Sequence, residues 1–300
     1  MSGEQAGREA VVAVRDLTKR YGRVTAIRGV GFEVGRGEAL ALWGPNGAGK
    51  TTILRCLLGL ARYEGEVRLD GVDPARDGRE AHRRIGYVPQ QLPAPAMTVG
   101  ELAAYIAGLK KVPTAAVAGP LEQLGLREVV DRPVAALSGG MRQRLGVALA
   151  LVGSPSVLLL DEPTASLDAR GRSDLLRLFW QLKRDGMVMV FSSHRQDDVL
   201  ALADRVLLLE QGEVQAEVTP DAYLAAAGLP TRLVLTLGNG HRAEALDALE
   251  RLGLPAEAHG AVVRVAVEPG RKAELIAALT GAGIGIDDID VERATWTDLS

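Results

Sequence analysis

The chain has 300 residues, 47% of them hydrophobic and 24% charged, with a formal net charge of -3 at pH 7. That length suits one large domain with a smaller one, the composition excludes a disordered chain, and the mild acidity offers no general attraction for nucleic acid or anionic lipid. The single cysteine, Cys56, excludes an intramolecular disulfide framework and a cysteine-only metal cluster.

The opening MSGEQAGREA lacks the charged-then-apolar layout of a secretory leader, and no run reaches the ~18 apolar residues that cross a bilayer. The cytoplasm is the expected compartment, and any membrane span has to come from another chain. In chain order, Val11 to Val14 and Gly31 to Val34 read as short strands, and Glu38 to Trp43 as a buried strand that runs into glycines. Residues 50–60, KTTILRCLLGL, carry helical periodicity that stops at Gly59. EGEVRLDG then reads as a hairpin-like strand. From Pro93 onward prolines, alanines and helical stretches predict a helical subdomain over about 93–150, closing with a helix at 139–152. SVLLLDEP, MVMVFSS and RVLLLEQG are apolar strands separated by a helix near Leu175 to Lys183, which predicts a mainly parallel sheet covered on both faces. After Pro220 the texture becomes a β-α-β-α-β unit: TRLVLTLG, a helix at His241 to Leu252, AVVRVAVE, a helix at Arg271 to Ala282, then DDIDVERA. The expected organisation is a large α/β domain at 10–220 and a small accessory α/β domain at 225–300.

Three motifs carry chemistry. Residues 44–51, GPNGAGKT, fit G-x-x-x-x-G-K-[ST] between an apolar strand and a helix. Such a loop turns its N–H groups and the positive helix end onto phosphates, with Lys50 adding charge and Thr51 offering its hydroxyl to Mg²⁺. VLLLDEP ends a strand in Asp161, placed for Mg²⁺, and Glu162, placed to polarise an attacking water; alone, such a pair reads equally as a helix start. In LSGGMRQR, Ser138 caps a helix whose first turn, Gly139 and Gly140, offers a second anion site, although serine before glycines is also an ordinary helix entry.

In this order the motifs resemble those of ABC transporter nucleotide-binding subunits, over about Val11 to Val218. The resemblance implies a P-loop NTPase core with a mainly parallel sheet, an antiparallel β subdomain and a helical subdomain, and it implies ATP and Mg²⁺ as cofactors. It makes Gly44, Pro45, Asn46, Gly47, Ala48, Gly49, Lys50, Thr51 and Thr52 the Walker A contacts to ATP, with Asp161 and Glu162 as Walker B acid and catalytic base. It assigns Tyr21 to adenine stacking, Gln90 to Mg²⁺ and the attacking water, and His194 to the γ-phosphate. Ser138, Gly139, Gly140 and Gln143 form the signature that covers a partner's nucleotide, and Asp168 communicates across the dimer; Ser166 stands where many relatives have glycine or alanine.

The implied partners are a transmembrane permease and a second cassette, from a homodimer or a similar subunit, on the inner face of the membrane. No nucleic acid is expected: one cassette without a coiled-coil insertion argues against translation and repair ATPases, and the signature argues against a small-molecule kinase. Within transporters, the single cassette, TVGELAAYIAGLKK and the unit beginning AAAGLP resemble ABC-2 type exporters, nearest to the ATPase of nitrous-oxide-reductase maturation and its copper-site assembly. Importers with a solute-sensing C-terminal domain are the competing picture.

Overall fold

A computed structural model describes residues 10–226, 231–237, 242–259, 262–267 and 272–292. The chain divides into two compact units, Met1–Glu217 and Val218–Ser300.

The larger unit opens with β1 (Ala10–Tyr21) and β2 (Val24–Gly35), an antiparallel pair that β4 (Glu64–Leu69) joins on the other side of β1. The expected short strands are therefore twelve residues each. Register shifts between Val14 and Leu17 and again near Lys19 break the period-2 alternation that the sequence reading relies on.

The second sheet has the order β5-β6-β7-β3-β8-β9, built from β3 (Ala39–Trp43), β5 (Ile85–Val88), β6 (Val157–Asp161), β7 (Val188–Ser192), β8 (Arg205–Glu210) and β9 (Glu213–Val218). The pairs β5–β6, β6–β7, β7–β3 and β3–β8 are parallel. All five residues of β6 and of β7 are buried, as strands covered on both faces must be. Helix α1 (Lys50–Leu57) follows β3 directly, and Ile53, Leu54, Cys56 and Leu57 of its inner face enter the core shared with β1, β2 and β4. Gly59 has φ +69, and a Cβ there would meet the Pro74 carbonyl oxygen at 2.6 Å, so the chain leaves α1 at a point only glycine fits.

α2 (Gly78–Arg84) leads into β5. Between β5 and β6 the chain forms helices: α3 (Val99–Lys110), α4 (Ala118–Gln123) and α5 (Gly139–Leu151), with short 3-10 turns. Thr98 and Glu101 make a capping box on α3. α6 (Ala169–Arg184) and α7 (Gln196–Leu202) complete the larger unit by joining β6 to β7 and β7 to β8.

The smaller unit carries α8 (Pro220–Ala226), β10 (Thr231–Leu237), α9 (Arg242–Arg251), β11 (Ala256–His259), β12 (Val262–Val267), α10 (Lys272–Gly281) and β13 (Ile286–Glu292). Its sheet order is β11-β12-β10-β13 with antiparallel pairing. The expected β-α-β-α-β unit thus gains a strand, β11, and becomes β-α-β-β-α-β. Leu233, Leu235, Val263, Val265, Leu249 and Leu275 stand in its own core. The last two residues of the expected DDIDVERA strand, and the rest of the expected domain to residue 300, lie outside the described residues.

Candidate active site

The C-terminal ends of the parallel strands β3, β6 and β7 gather the chemical residues, as open α/β sheets do at their carboxyl edge. β3 ends at Trp43 and the loop of residues 44–49 turns into α1. Gly49, the residue before the helix, has φ +105, and a Cβ there would stand 2.4 Å from Ile27 Cδ1 and 3.1 Å from the Ala26 carbonyl oxygen; a side chain at this position would be strained by its backbone and would have to push Ile27 aside. Ala48 is buried and its carbonyl accepts from the Gly212 N–H at 3.2 Å, whereas Pro45, Asn46 and Gly47 are exposed. The loop is braced at its base and open at its rim.

Lys50 is 8% exposed, and its Nζ donates to the carbonyl oxygens of Gly44 at 2.6 Å and Pro45 at 3.1 Å. The ammonium is thereby seated within the curl of the loop. The first-turn amides of α1 have no intrahelical acceptor, and the helix dipole adds partial positive charge there. Loop amides, helix end and lysine lie within one short stretch of chain, the arrangement with which such a loop can hold an anion.

Thr51 Oγ1 lies 3.3 Å from Asp161 Oδ1, which ties α1 to the end of β6. Asp161, 4% exposed, also accepts from Ser192 Oγ at 2.7 Å. The next residue, Glu162, has φ +52, a left-handed conformation unusual for a long side chain. Its N–H is held by the Ser192 carbonyl at 3.2 Å and the Ser192 hydroxyl at 3.1 Å. Glu162 Oε2 accepts from the His194 N–H at 3.1 Å and from His194 Nδ1 at 2.6 Å. With Nδ1 carrying the hydrogen, Nε2 of the half-exposed imidazole is left for a ligand. Thr51, Asp161, Ser192, Glu162 and His194 are therefore linked by hydrogen bonds across α1 and the ends of β6 and β7, with Lys50 next to Thr51 in the chain.

A second group stands on other elements. Ser138 caps α5 by accepting from the Met141 N–H at 3.2 Å, and Gly139 and Gly140 lie beside Ser166 and Leu167. Gln90, Gly139, Gln143 and Ser166 line one cavity of about 530 Å³ with Arg142, and no residue of the phosphate loop borders it. Gln143 is 4% exposed and its Nε2 has no hydrogen-bond partner. Asp168 caps α6 by accepting from the Gly171 N–H at 2.8 Å. Tyr21 is exposed at the end of β1, with Lys19 Nζ 4.4 Å from its ring centre. Thr52 is half-buried in the first turn of α1.

Sequence reasoning passed over four fully buried polar residues next to the candidate site: Ser192, which bonds to Asp161 and Glu162, and Ser193, Thr164 and Asp198, which bond to one another. Ser192 is paired in register with Asp161 across β6 and β7. The FSSH segment carried the signal, since two serines at the end of an apolar strand have to find partners when buried.

A family model described as ABC transporter matches residues 27–165. Among curated proteins, the linearmycin resistance ATP-binding protein LnrL of Bacillus subtilis is 31% identical over 236 residues, 76% of this chain and 75% of its own. The Nod factor export ATP-binding protein I of Burkholderia orbicola is 38% identical, covering 72% of this chain and 73% of its own. The sulfate/thiosulfate import ATP-binding protein CysA of Caulobacter vibrioides is 40% identical, covering 70% and 65%. Among solved structures, the dimeric bacterial ABC transporter cassette MJ0796 is 26% identical with a TM-score of 0.64, covering 70% of this chain and 98% of that one. The fold is that of an α/β P-loop ATPase cassette, and among the described residues no helix is long and apolar enough to cross a membrane. The chain belongs to the ABC transporter family, as an ATP-binding subunit with ATPase activity.

Proposed function

We propose that the chain hydrolyses Mg²⁺-bound ATP at a site completed by a second cassette, and that this drives export through a separate permease of the ABC-2 type. The observation that carries the composite site is the separation of two half-sites. The Lys50–Asp161–Glu162–His194 cluster forms one, and the signature helix end opens on a different cavity with no phosphate-loop residue in its lining. Two copies facing head to tail bring each signature over the other's loop, and the dimeric relative supports this reading.

In this reading the loop amides and Lys50 bind the β- and γ-phosphates and Tyr21 stacks on the base. Glu162 takes the proton of the attacking water, and His194 Nε2 orients the γ-phosphate. Ser138, Gly139 and Gly140 of the second copy donate to the same phosphate, with Gln143 beside them, while Asp168 relays between copies; Gln90 lines the signature cavity of its own chain, so its role toward the water and the cation belongs to the closed two-copy site. Thr51 Oγ1 and Asp161 Oδ1, 3.3 Å apart, fit a hard cation that keeps water and phosphate oxygens as its other ligands. When bound, Mg²⁺ neutralises the charge that develops on the transferring phosphoryl group.

Export is favoured by the single cassette and by the relative named for Nod factor export. The narrower likeness to the copper-linked maturation ATPases rests on the sequence resemblance. Import is the second reading, favoured by the 40% identity to a sulfate/thiosulfate import subunit. The permease would hold the chain on the inner face of the membrane. Among its described residues the unit from Val218 onward has no chemical cluster, and it would steady or regulate the dimer; a truncation after residue 222 with unchanged dimerisation, ATPase rate and transport would remove that role.

Glu162→Gln tests the core of the proposal. The variant is expected to bind ATP at near-parent affinity, to accumulate as an ATP-dependent dimer in light scattering, and to lose turnover. Parent-rate hydrolysis by this variant would overturn the base assignment. ATP-driven uptake into inside-out membrane vesicles carrying the co-purified permease separates export from import.

A further inference from the structure

Glu162 and His194 act together only if two loops on different strands keep their spacing, and the bond between them joins a buried carboxylate to an imidazole whose side chain is 58% exposed. Beneath that bond runs a second, fully buried connection. Asp198, in the first turn of α7, is 1% exposed. Its Oδ2 accepts from Thr164 Oγ1 and from Ser193 Oγ, the latter at 3.2 Å. Thr164 is two residues past Glu162 and begins the turn toward Asp168, its carbonyl accepting from the Leu167 N–H at 3.1 Å. Ser193 immediately precedes His194, and its hydroxyl also accepts from the Arg195 N–H at 3.0 Å. Both hydroxyl residues are buried, at 1% and 0% exposure.

We propose that Asp198 is a positioning residue for hydrolysis: through Thr164 and Ser193 it fixes the loop carrying Glu162 against the loop carrying His194. This rests on the assignment of Glu162 and His194 to catalysis. The two serines of FSSH divide the task. Ser192 faces the acids, with its hydroxyl on Asp161 Oδ1 and the Glu162 N–H, whereas Ser193 faces α7. Glu162, in its left-handed conformation, is thus held from one side by Ser192 and from the other through Thr164 and Asp198. Arg172 of α6 pairs with the neighbouring Asp197 at 3.4 Å, which fastens α7 to the helix that Asp168 caps. The path runs from the hydrolytic pair to the segment beside the signature glycines, since Ser166 lies against Gly139.

The two oxygens of Asp198 are not equivalent. Oδ1 is buried and has no hydrogen-bond partner, so only Oδ2 carries the connection. Asn can replace Asp with its carbonyl at Oδ2, which keeps both hydroxyl bonds and removes the charge, while its amide nitrogen, buried without an acceptor, lowers stability and leaves the connection in place. Ala or Leu keeps neither.

The experiment measures kcat and KM for ATP on the full chain with Mg²⁺, beside affinity for a fluorescent ATP analogue. Asp198→Asn is expected to stay within about threefold of the parent. Asp198→Ala and Thr164→Val are each expected to lower kcat by tenfold or more, with analogue affinity and KM within about threefold. Thr164→Val is near-isosteric and guards against simple unfolding of the alanine variant. The proposal is overturned if Thr164→Val keeps the parent kcat, if it weakens nucleotide binding as much as turnover, or if Asp198→Asn is as slow as Asp198→Ala. Glu162→Gln in the same series separates the two ideas. Full turnover there removes the catalytic assignment itself, whereas an inactive Glu162→Gln beside a fully active Thr164→Val removes only the connection through Asp198.

Discussion

Ser192→Ala removes one oxygen atom from the centre of the site. Ser192 is 0% exposed, and its hydroxyl bridges the Asp161 carboxylate at 2.7 Å and the Glu162 N–H at 3.1 Å. The Glu162 N–H keeps a second acceptor, the Ser192 carbonyl at 3.2 Å, so the backbone is not orphaned. Asp161 loses a hydrogen bond to a charged group in a buried setting, a change that costs about 1.5–3 kcal/mol. For a unit the size of Met1–Glu217, each kcal/mol moves the melting temperature by roughly 2–4 °C, and a mid-range loss of about 2 kcal/mol lowers it by about 4–8 °C. Asp161 Oδ1 then retains only Thr51 Oγ1 at 3.3 Å, so the carboxylate gains rotational freedom where the cation is proposed to bind. The Mg²⁺ concentration for half-maximal binding of a fluorescent ATP analogue is expected to rise several-fold, because about 1.4 kcal/mol corresponds to tenfold. Calorimetry and a Mg²⁺ titration check the two effects independently. A melting temperature within about 1 °C of the parent together with a superimposable titration would refute the reasoning.

Two further outcomes follow from buried titratable groups outside the site. Burial pushes Lys110 down to about 8, with its Nζ donating to the Ile85 carbonyl at 2.9 Å. A lysine whose folded pKa lies below its unfolded value destabilises the fold while charged. That cost is complete below about pH 8 and is relieved as pH rises toward 10.5, because the unfolded chain then binds the proton that the folded chain has released. Urea titrations should show the parent gaining stability relative to Lys110→Met across that window, and parallel curves would contradict the burial argument. Burial likewise pushes the Cys56 thiol up to about 11 inside the core. Iodoacetamide at pH 8 should leave it unlabelled in the native chain and label it in urea, and native labelling at the rate of a free thiol would overturn that placement.

The parts legible in the sequence are those whose chemistry is local in the chain. GPNGAGKT announces its loop because the glycines, the lysine and the strand–helix context fall within a dozen residues, and Gly49 at φ +105 shows the backbone demand behind the pattern. The strands around Val157 and Val188 were readable because both faces are buried, which leaves continuous apolar runs. The full lengths of β1 and β2 are not legible because segments such as TKRY at 18–21 are bulged and half-buried to exposed, so alternation fails before the strand does. β11 was missed because AEAH at 256–259 has no β-branched residue and a single pairing neighbour, β12.

Non-local chemistry was hidden for a different reason. Asp161 and Ser192 are 31 residues apart and meet only through the parallel register of β6 and β7, while Thr164 and Asp198 are 34 apart and meet only because α7 folds back beneath the strand ends. In sequence, Asp197 and Asp198 look like ordinary acids at a helix N-terminus, a role that needs no burial. Burial is what distinguishes Asp198, since a carboxyl group enters an interior only when hydrogen bonds compensate its lost hydration. The Thr164 and Ser193 hydroxyls supply those bonds from the two loops that also carry Glu162 and His194. The cost of burying Asp198 is therefore offset only when both loops are in place, which couples the integrity of the core to the spacing of the hydrolytic pair.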